Sequence, residues 1–170
     1  MENREKTFFE TLSALPAGTF ADDTVSFRRI QDEDDLAYAT IECSLTEEQK
    51  DLVNPAGFSI GRAWLRPADN WPCVICAEDG RRIGFIVLLR WLGGDDDCLS
   101  WSYFIDRREQ GKGYGRAAAR LAVRILKTAY PDRTIKLSTE ASNAKARALY
   151  RSLGFQELDE LDGDDLVFGI

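Results

Sequence analysis

No histidine occurs among the 170 residues. That absence removes Ser-His-Asp triads, Cys-His pairs and histidine-ligated zinc together. Proton transfer is left to Asp, Glu, Tyr, Lys, Cys or water. Long apolar runs are missing too. The longest, from Ile83 to Leu89, is strand-length and contains Gly84, whereas a membrane span needs ~18 residues or more. The opening MENREKTFFE is acidic and lacks an apolar core, so no secretory signal and a cytoplasmic location are expected. Lys and Arg number 22 against 29 Asp and Glu, a net charge of −7, which disfavours a nucleic-acid partner because phosphate neutralisation needs a basic surface.

The four cysteines (Cys43, Cys73, Cys76 and Cys98) are scattered and read as free thiols. The CxxC at 73–76 lies in the strand-like stretch WPCVICAED, where residues three apart point to opposite faces. Its sulfurs therefore do not converge on one ion, and no metal site is expected.

What is present suits one globular domain of mixed α/β class: 44% hydrophobic and 11% aromatic residues, with no internal linker. Residues 1–23 form an N-terminal extension, with Phe8, Phe9, Leu12 and Leu15 at helical spacing before Pro16 and Gly18. Residues 24–170 form the domain proper. A strand is predicted over 24–30, then a helix to about Ser44 and a second from Leu45 to Val53, with Thr46 and Gln49 as a capping box. Helical turns follow in GFSIGRAWLR. Strands at 71–77, 82–91 and 99–106 are separated by the Asp79-Gly80 turn and a second turn at 93–97. A helix over 111–130 carries Ala118, Leu121, Ala122, Ile125 and Ala129 on one stripe. A strand at 133–139, a helix capped by Ser142 or Asn143 and two closing strands around an Asp-rich turn complete the order. This implies a mostly antiparallel sheet of six to seven strands with helices on both faces. Exposed edge strands at the C-terminus make a homodimer a reasonable expectation.

Charge is uneven. Between Asp106 and Lys127, seven basic residues face two acidic ones, a local +5 in a chain whose remainder carries −12. This block opens on Gln110-Gly111-Lys112-Gly113-Tyr114-Gly115-Arg116, between a predicted strand and a predicted helix. Closely spaced glycines let main-chain amides approach a ligand, and a helix N-terminus favours an anion such as a pyrophosphate. The same turn can also be purely structural. It matches neither the P-loop, since Gly113 follows Lys112, nor the dinucleotide fingerprint, since Arg116 stands where Gly or Ala is required.

About thirty residues on, Asn143, Ala146, Leu149-Tyr150 and Leu153-Gly154-Phe155 form a second motif. The pair resembles the GNAT superfamily of N-acetyltransferases over about residues 24–170. Within it, Thr46-Glu47-Glu48-Gln49, Ile83-Gly84-Phe85, Phe104-Ile105-Asp106 and Ile135-Lys136-Leu137-Ser138 resemble the bacterial spermine/spermidine acetyltransferases.

The resemblance implies acetyl-CoA as co-substrate and a sheet splayed at the coenzyme site. Amides from Gln110 to Arg116 would hold the pyrophosphate. Main-chain groups of Phe104 and Ile105 would pair with the pantetheine arm. Asn143 would contact the coenzyme or cap its helix. Tyr150 falls at the position of the general acid, although a tyrosine there also suits a buried helix face. Ser138 stands where many members carry a glutamate, so the base is unassigned and must be a carboxylate or a water chain.

The implied acceptor is a primary amine, foremost a polyamine bound by Glu42, Glu47, Glu48 and Asp51, although such residues also simply keep a helix solvated. Direct attack in a ternary complex is expected, with no Cys acyl-enzyme. A protein, aminoglycoside or amino-acid-like amine is an alternative acceptor, and a non-catalytic acetyl-CoA-binding regulator is an alternative role.

Overall fold

Alternation and apolar runs set the strands. In β1 (Val25–Arg29), Val25 and Phe27 turn inward while Arg28 and Arg29 stay out. β2 (Asn70–Ala77) and β3 (Arg82–Trp91) are apolar on both faces and buried almost throughout, as central strands must be. β4 is Cys98–Ile105. In the computed structural model, which describes residues 5–91 and 97–170, these four pair antiparallel in the order β1-β2-β3-β4. Gly80 takes φ +82° in the β2–β3 turn. The turn expected at 93–97 falls, apart from Asp97, outside the described residues.

β5 (Lys136–Thr139), β6 (Gln156–Asp162) and β7 (Asp165–Gly169) form a second antiparallel sheet in the order β5-β7-β6. Among the described residues the sheets join through one parallel bridge, Leu99 to Ile135, where the Leu99 N–H donates to the Thr134 carbonyl at 3.0 Å. Beyond it β4 and β5 form no ladder. The expected splay is therefore present, as seven strands in two parts with an opening between β4 and β5.

Helices cover both faces. Helix α1 (Phe8–Ser13) starts in a complete capping box, Thr7 with Glu10. Helix α2 (Glu33–Ala37), capped by Asp32, continues into a wide helical turn over Tyr38–Glu42, in which the Cys43 N–H bonds the Tyr38 carbonyl at 2.8 Å, close to the end expected near Ser44. In α3 (Glu47–Lys50), Gln49 Oε1 accepts from the Thr46 amide and hydroxyl. Helix α4 is Ala56–Leu65, α5 is Tyr114–Ala129 and α6 is Ala144–Ser152. None of the described helices is long and apolar enough to cross a membrane.

Two cores result. One holds Phe8 and Leu12 of α1 with Leu121, Ala122 and Ile125 of α5, and α6 packs against it. The other lies beneath the α2–α4 segment. Cys73 belongs to the first core and Cys76 to the second, the opposite-face placement that strand parity predicts. Gly84 sets the spacing of β3 and β4 next to the glycine turn. A Cβ there would lie 2.4 Å from the Phe104 carbonyl oxygen, a backbone atom with no freedom to yield.

Candidate active site

The glycine turn follows β4 directly. Gly111 and Gly113 adopt φ +78° and +86°, the left-handed region that side chains avoid, and nothing lies within 4 Å of where a Cβ would sit on either. The turn is thus open around both glycines. Gly113 is the N-cap of α5 and supplies no side-chain cap, while the first intrahelical bond runs from the Ala117 N–H to the Gly113 carbonyl at 3.1 Å. The amides of Tyr114, Gly115 and Arg116 consequently lack intrahelical acceptors. Exposed Lys112 and Arg116 add charge, although Lys112 is drawn toward Glu109 at 2.8 Å. These features fit a diphosphate.

The edge of β4 that faces the opening follows from the ladder. The Asp106 N–H donates to the Ile83 carbonyl at 2.8 Å, in register with the pairs Ile105–Gly84 and Phe104–Phe85. Because bonded and non-bonded pairs alternate in an antiparallel ladder, Phe104 directs its main-chain groups to β3. The groups facing the opening belong to Tyr103 and Ile105. The register thus turns Phe104, which the sequence placed at the opening, toward β3, while Tyr103 and Ile105 present their main-chain groups to the opening. Gln110 Nε2 already bonds the Ile105 carbonyl at 3.0 Å and Gln49 Oε1 at 2.7 Å. This ties the turn to α3.

Tyr103 performs a second task that its sequence position did not announce. Its hydroxyl donates to the Gly115 carbonyl at 3.1 Å, fixing the first turn of α5 against the free edge of β4. Tyr103→Phe is expected to weaken coenzyme A binding five- to tenfold, about 1 kcal/mol for one hydrogen bond, with kcat within twofold. Calorimetric titration and steady-state kinetics check this.

Tyr150, half-buried on α6, packs its ring against Phe155 and Phe168 at centroid distances of 6.0 and 5.5 Å. Burial, aided by the charge of Asp165, pushes its hydroxyl up to about 12. Asn143 Oδ1 accepts from the Ala146 amide at 3.0 Å, which is a helix cap. Burial pushes the Cys43 thiol up to about 12 and raises Cys73 and Cys76 as well, so these thiols are poor nucleophiles.

A cavity of about 630 Å³ opens between β4, β5 and the α3–α4 segment, and Tyr150 of α6 is among its lining residues. The four carboxylates predicted to bind the acceptor do not line it. Glu42, Glu47, Glu48 and Asp51 are solvent-exposed, and Glu47 pairs with Lys50 at 2.6 Å. The acidic wall is instead Glu160, Asp162 and Asp165 of β6 and β7, with Ser138 donating to Asp162 at 3.0 Å. Opposite stand Leu52, Phe58 and Trp91, with Arg62 stacked 3.8 Å over the Trp91 ring. The Asp-rich composition of 159–165 was the available signal for the acidic wall. Its direction into the cavity depends on strand pairing.

The sequence model of the acetyltransferase (GNAT) family matches residues 30–155. The chain belongs to this family. It is 34% identical over 97 residues to a mycothiol acetyltransferase of Beutenbergia cavernae, a match covering 56% of this chain and 31% of that protein. It is 40% identical over 60 residues to a spermine/spermidine N(1)-acetyltransferase of Bacillus subtilis, covering 35% and 40%. The matched stretches thus span less than half the length of these relatives. Among solved structures, Mycobacterium smegmatis RimJ in complex with CoA-disulfide aligns with a TM-score of 0.67 at 21% identity, over 86% of this chain and 81% of that one. An acetyltransferase structure from Agrobacterium tumefaciens aligns over 99% of both chains with a TM-score of 0.67 at 18% identity, so the likeness of fold takes in β6 and β7, beyond the matched segment.

Proposed function

We propose that this GNAT chain transfers the acetyl group of acetyl-CoA to a primary amine while both are bound, in the cytoplasm. The observation that carries the reading is the alignment of three features along one opening. These are the uncapped α5 amides beside the open glycine turn, the free β4 edge at Tyr103 and Ile105, and Tyr150 at the cavity. Acetyl-CoA supplies the activated acyl group. The amides of Tyr114, Gly115 and Arg116 would grip its diphosphate, with Gln110 to Gly113 shaping the turn, and the free edge would align its arm. Tyr150, held protonated, would give its proton to the departing sulfur.

A polyamine is the proposed acceptor. An alkyl ammonium with pKa ~10 is cationic at neutral pH, and Glu160, Asp162 and Asp165 form a wall of matching sign. The apolar rim favours a second reading. Phe58 and Leu161 are 60% and 67% exposed beside the cavity, and Arg62 would repel a second ammonium. This suits a monoamine with an apolar body, such as the amino end of an apolar peptide.

Thiol release from acetyl-CoA across a panel of spermidine, arylalkylamine, aminoglycoside and peptide amines separates these readings. Polyamine preference requires kcat/KM for spermidine above that of the monoamines. Tight coenzyme binding with no turnover on any amine would leave a non-catalytic regulator.

A further inference from the structure

We propose that Asp165 is the proton acceptor of the transfer, an assignment that rests on the acetyltransferase reading above. Of the side chains left without histidine, only carboxylates are ordinarily deprotonated at neutral pH, and three described carboxylates line the cavity. Two of them are engaged. Glu160 holds Lys136 at 2.8 and 3.1 Å, and Asp162 accepts the Ser138 hydroxyl at 3.0 Å. Asp165, half-buried at the start of β7, has no ion pair or side-chain hydrogen bond among the described residues. It shares the cavity with Tyr150 and lies close enough that its charge acts on that hydroxyl.

The surroundings suit a base. Burial, then the negative charges of Glu140 just after β5, of Asp162 at the end of β6 and of Asp164 in the β6–β7 turn, raise the Asp165 carboxyl from its ordinary value. The other charged or titratable groups lining the cavity are Cys98 from β4, Tyr150 from α6, Lys136 and Glu160 as a pair, and Arg62 from α4. A raised carboxyl pKa brings the base nearer the working pH, and the charge that makes it a base also keeps Tyr150 protonated as an acid.

The step balances. An N–H bond of the ammonium breaks toward Asp165, directly or through one water. The freed lone pair forms the C–N bond at the thioester carbonyl, and the C–S bond breaks. The sulfur takes the Tyr150 proton. The second proton lost by the nitrogen restores Tyr150 through water, and Asp165 returns its own proton to solvent.

Asp165→Asn tests this against the best amine of the panel, with kcat/KM followed from pH 6 to 10 and coenzyme A binding followed by calorimetry. The expected result is a loss of about a hundredfold at pH 7, recovering toward the wild-type rate by pH 10. There the free amine already carries its lone pair. Coenzyme A affinity stays within twofold, and Asp165→Glu restores at least a tenth of the rate at pH 7. A rate within threefold of wild type at pH 7 overturns the assignment. So does a loss that is equal at every pH, or a fall in coenzyme A affinity, each of which marks a structural residue. Wild-type turnover is read first, and its absence on every amine would sink the acetyltransferase reading itself and this assignment with it.

Discussion

Tyr150→Phe is expected to lower kcat about a hundredfold, the low end of what a positioned acid contributes, while coenzyme A affinity stays within twofold. The substitution removes one oxygen and keeps the ring, so the packing against Phe155 and Phe168 survives. No hydrogen bond to the Tyr150 hydroxyl exists among the described residues, so its removal leaves no protein group unsatisfied. The sign of the pH dependence follows from the raised hydroxyl. With its pKa pushed up to about 12 by burial and by Asp165, the phenol stays protonated throughout the neutral range. The acid role is then lost only as pH rises toward that value. The wild-type rate should show no alkaline fall below about pH 10, the ordinary tyrosine range. Single-turnover thiol release and a pH profile are the measurements. A Phe variant with unchanged kcat would remove Tyr150 from the chemistry.

Leu12→Ala is expected to destabilise the fold by about 3 kcal/mol, within the range for buried Leu-to-Ala changes. That corresponds to roughly 6–12 °C in Tm for a chain of this size. Leu12 and Phe8 are completely buried, in the same core as Leu121, Ala122 and Ile125 of α5. The Phe8 ring also stacks on Tyr130 just past the end of α5, at 6.0 Å between centroids. The matched family segment begins only at residue 30, so a solvent-exposed extension would tolerate this change within ±0.5 kcal/mol. Urea and thermal melts separate the outcomes. An unchanged midpoint would mean that α1 adds nothing to the domain. Because α1 covers the core beneath α5, whose first turn forms part of the glycine turn, a loosened α1 should also weaken coenzyme A binding.

The elements legible from sequence were those whose signals are local. The glycines at 111, 113 and 115 needed only their spacing and position before a helix. The stripe Ala118, Leu121, Ala122 and Ile125 needed only the 3.6-residue period, and all four are at most 1% exposed. The split of Cys73 and Cys76 between two cores needed only the two-residue alternation of a strand.

The misplaced elements depended on pairing. Phe104 and Tyr103 are neighbours in the chain, and which of them faces the opening is settled by the register of β4 on β3, set by Gly84 opposite Ile105. The acidic residues of 42–51 and of 159–165 are equivalent as composition. Only the second group reaches the cavity, because β6 pairs with β7, and β7 with β5, bringing Asp162 to Ser138 across 24 residues.

The linear order of residues by itself determined the family, the glycine turn and the alternation of strands and helices, since each arises from contacts within a few positions. It also determined that no histidine takes part in the chemistry. Tertiary structure alone decided which edge of β4 is free, which carboxylates line the cavity and where α1 is buried. These depend on strand register and on burial against distant segments, and no local pattern records either.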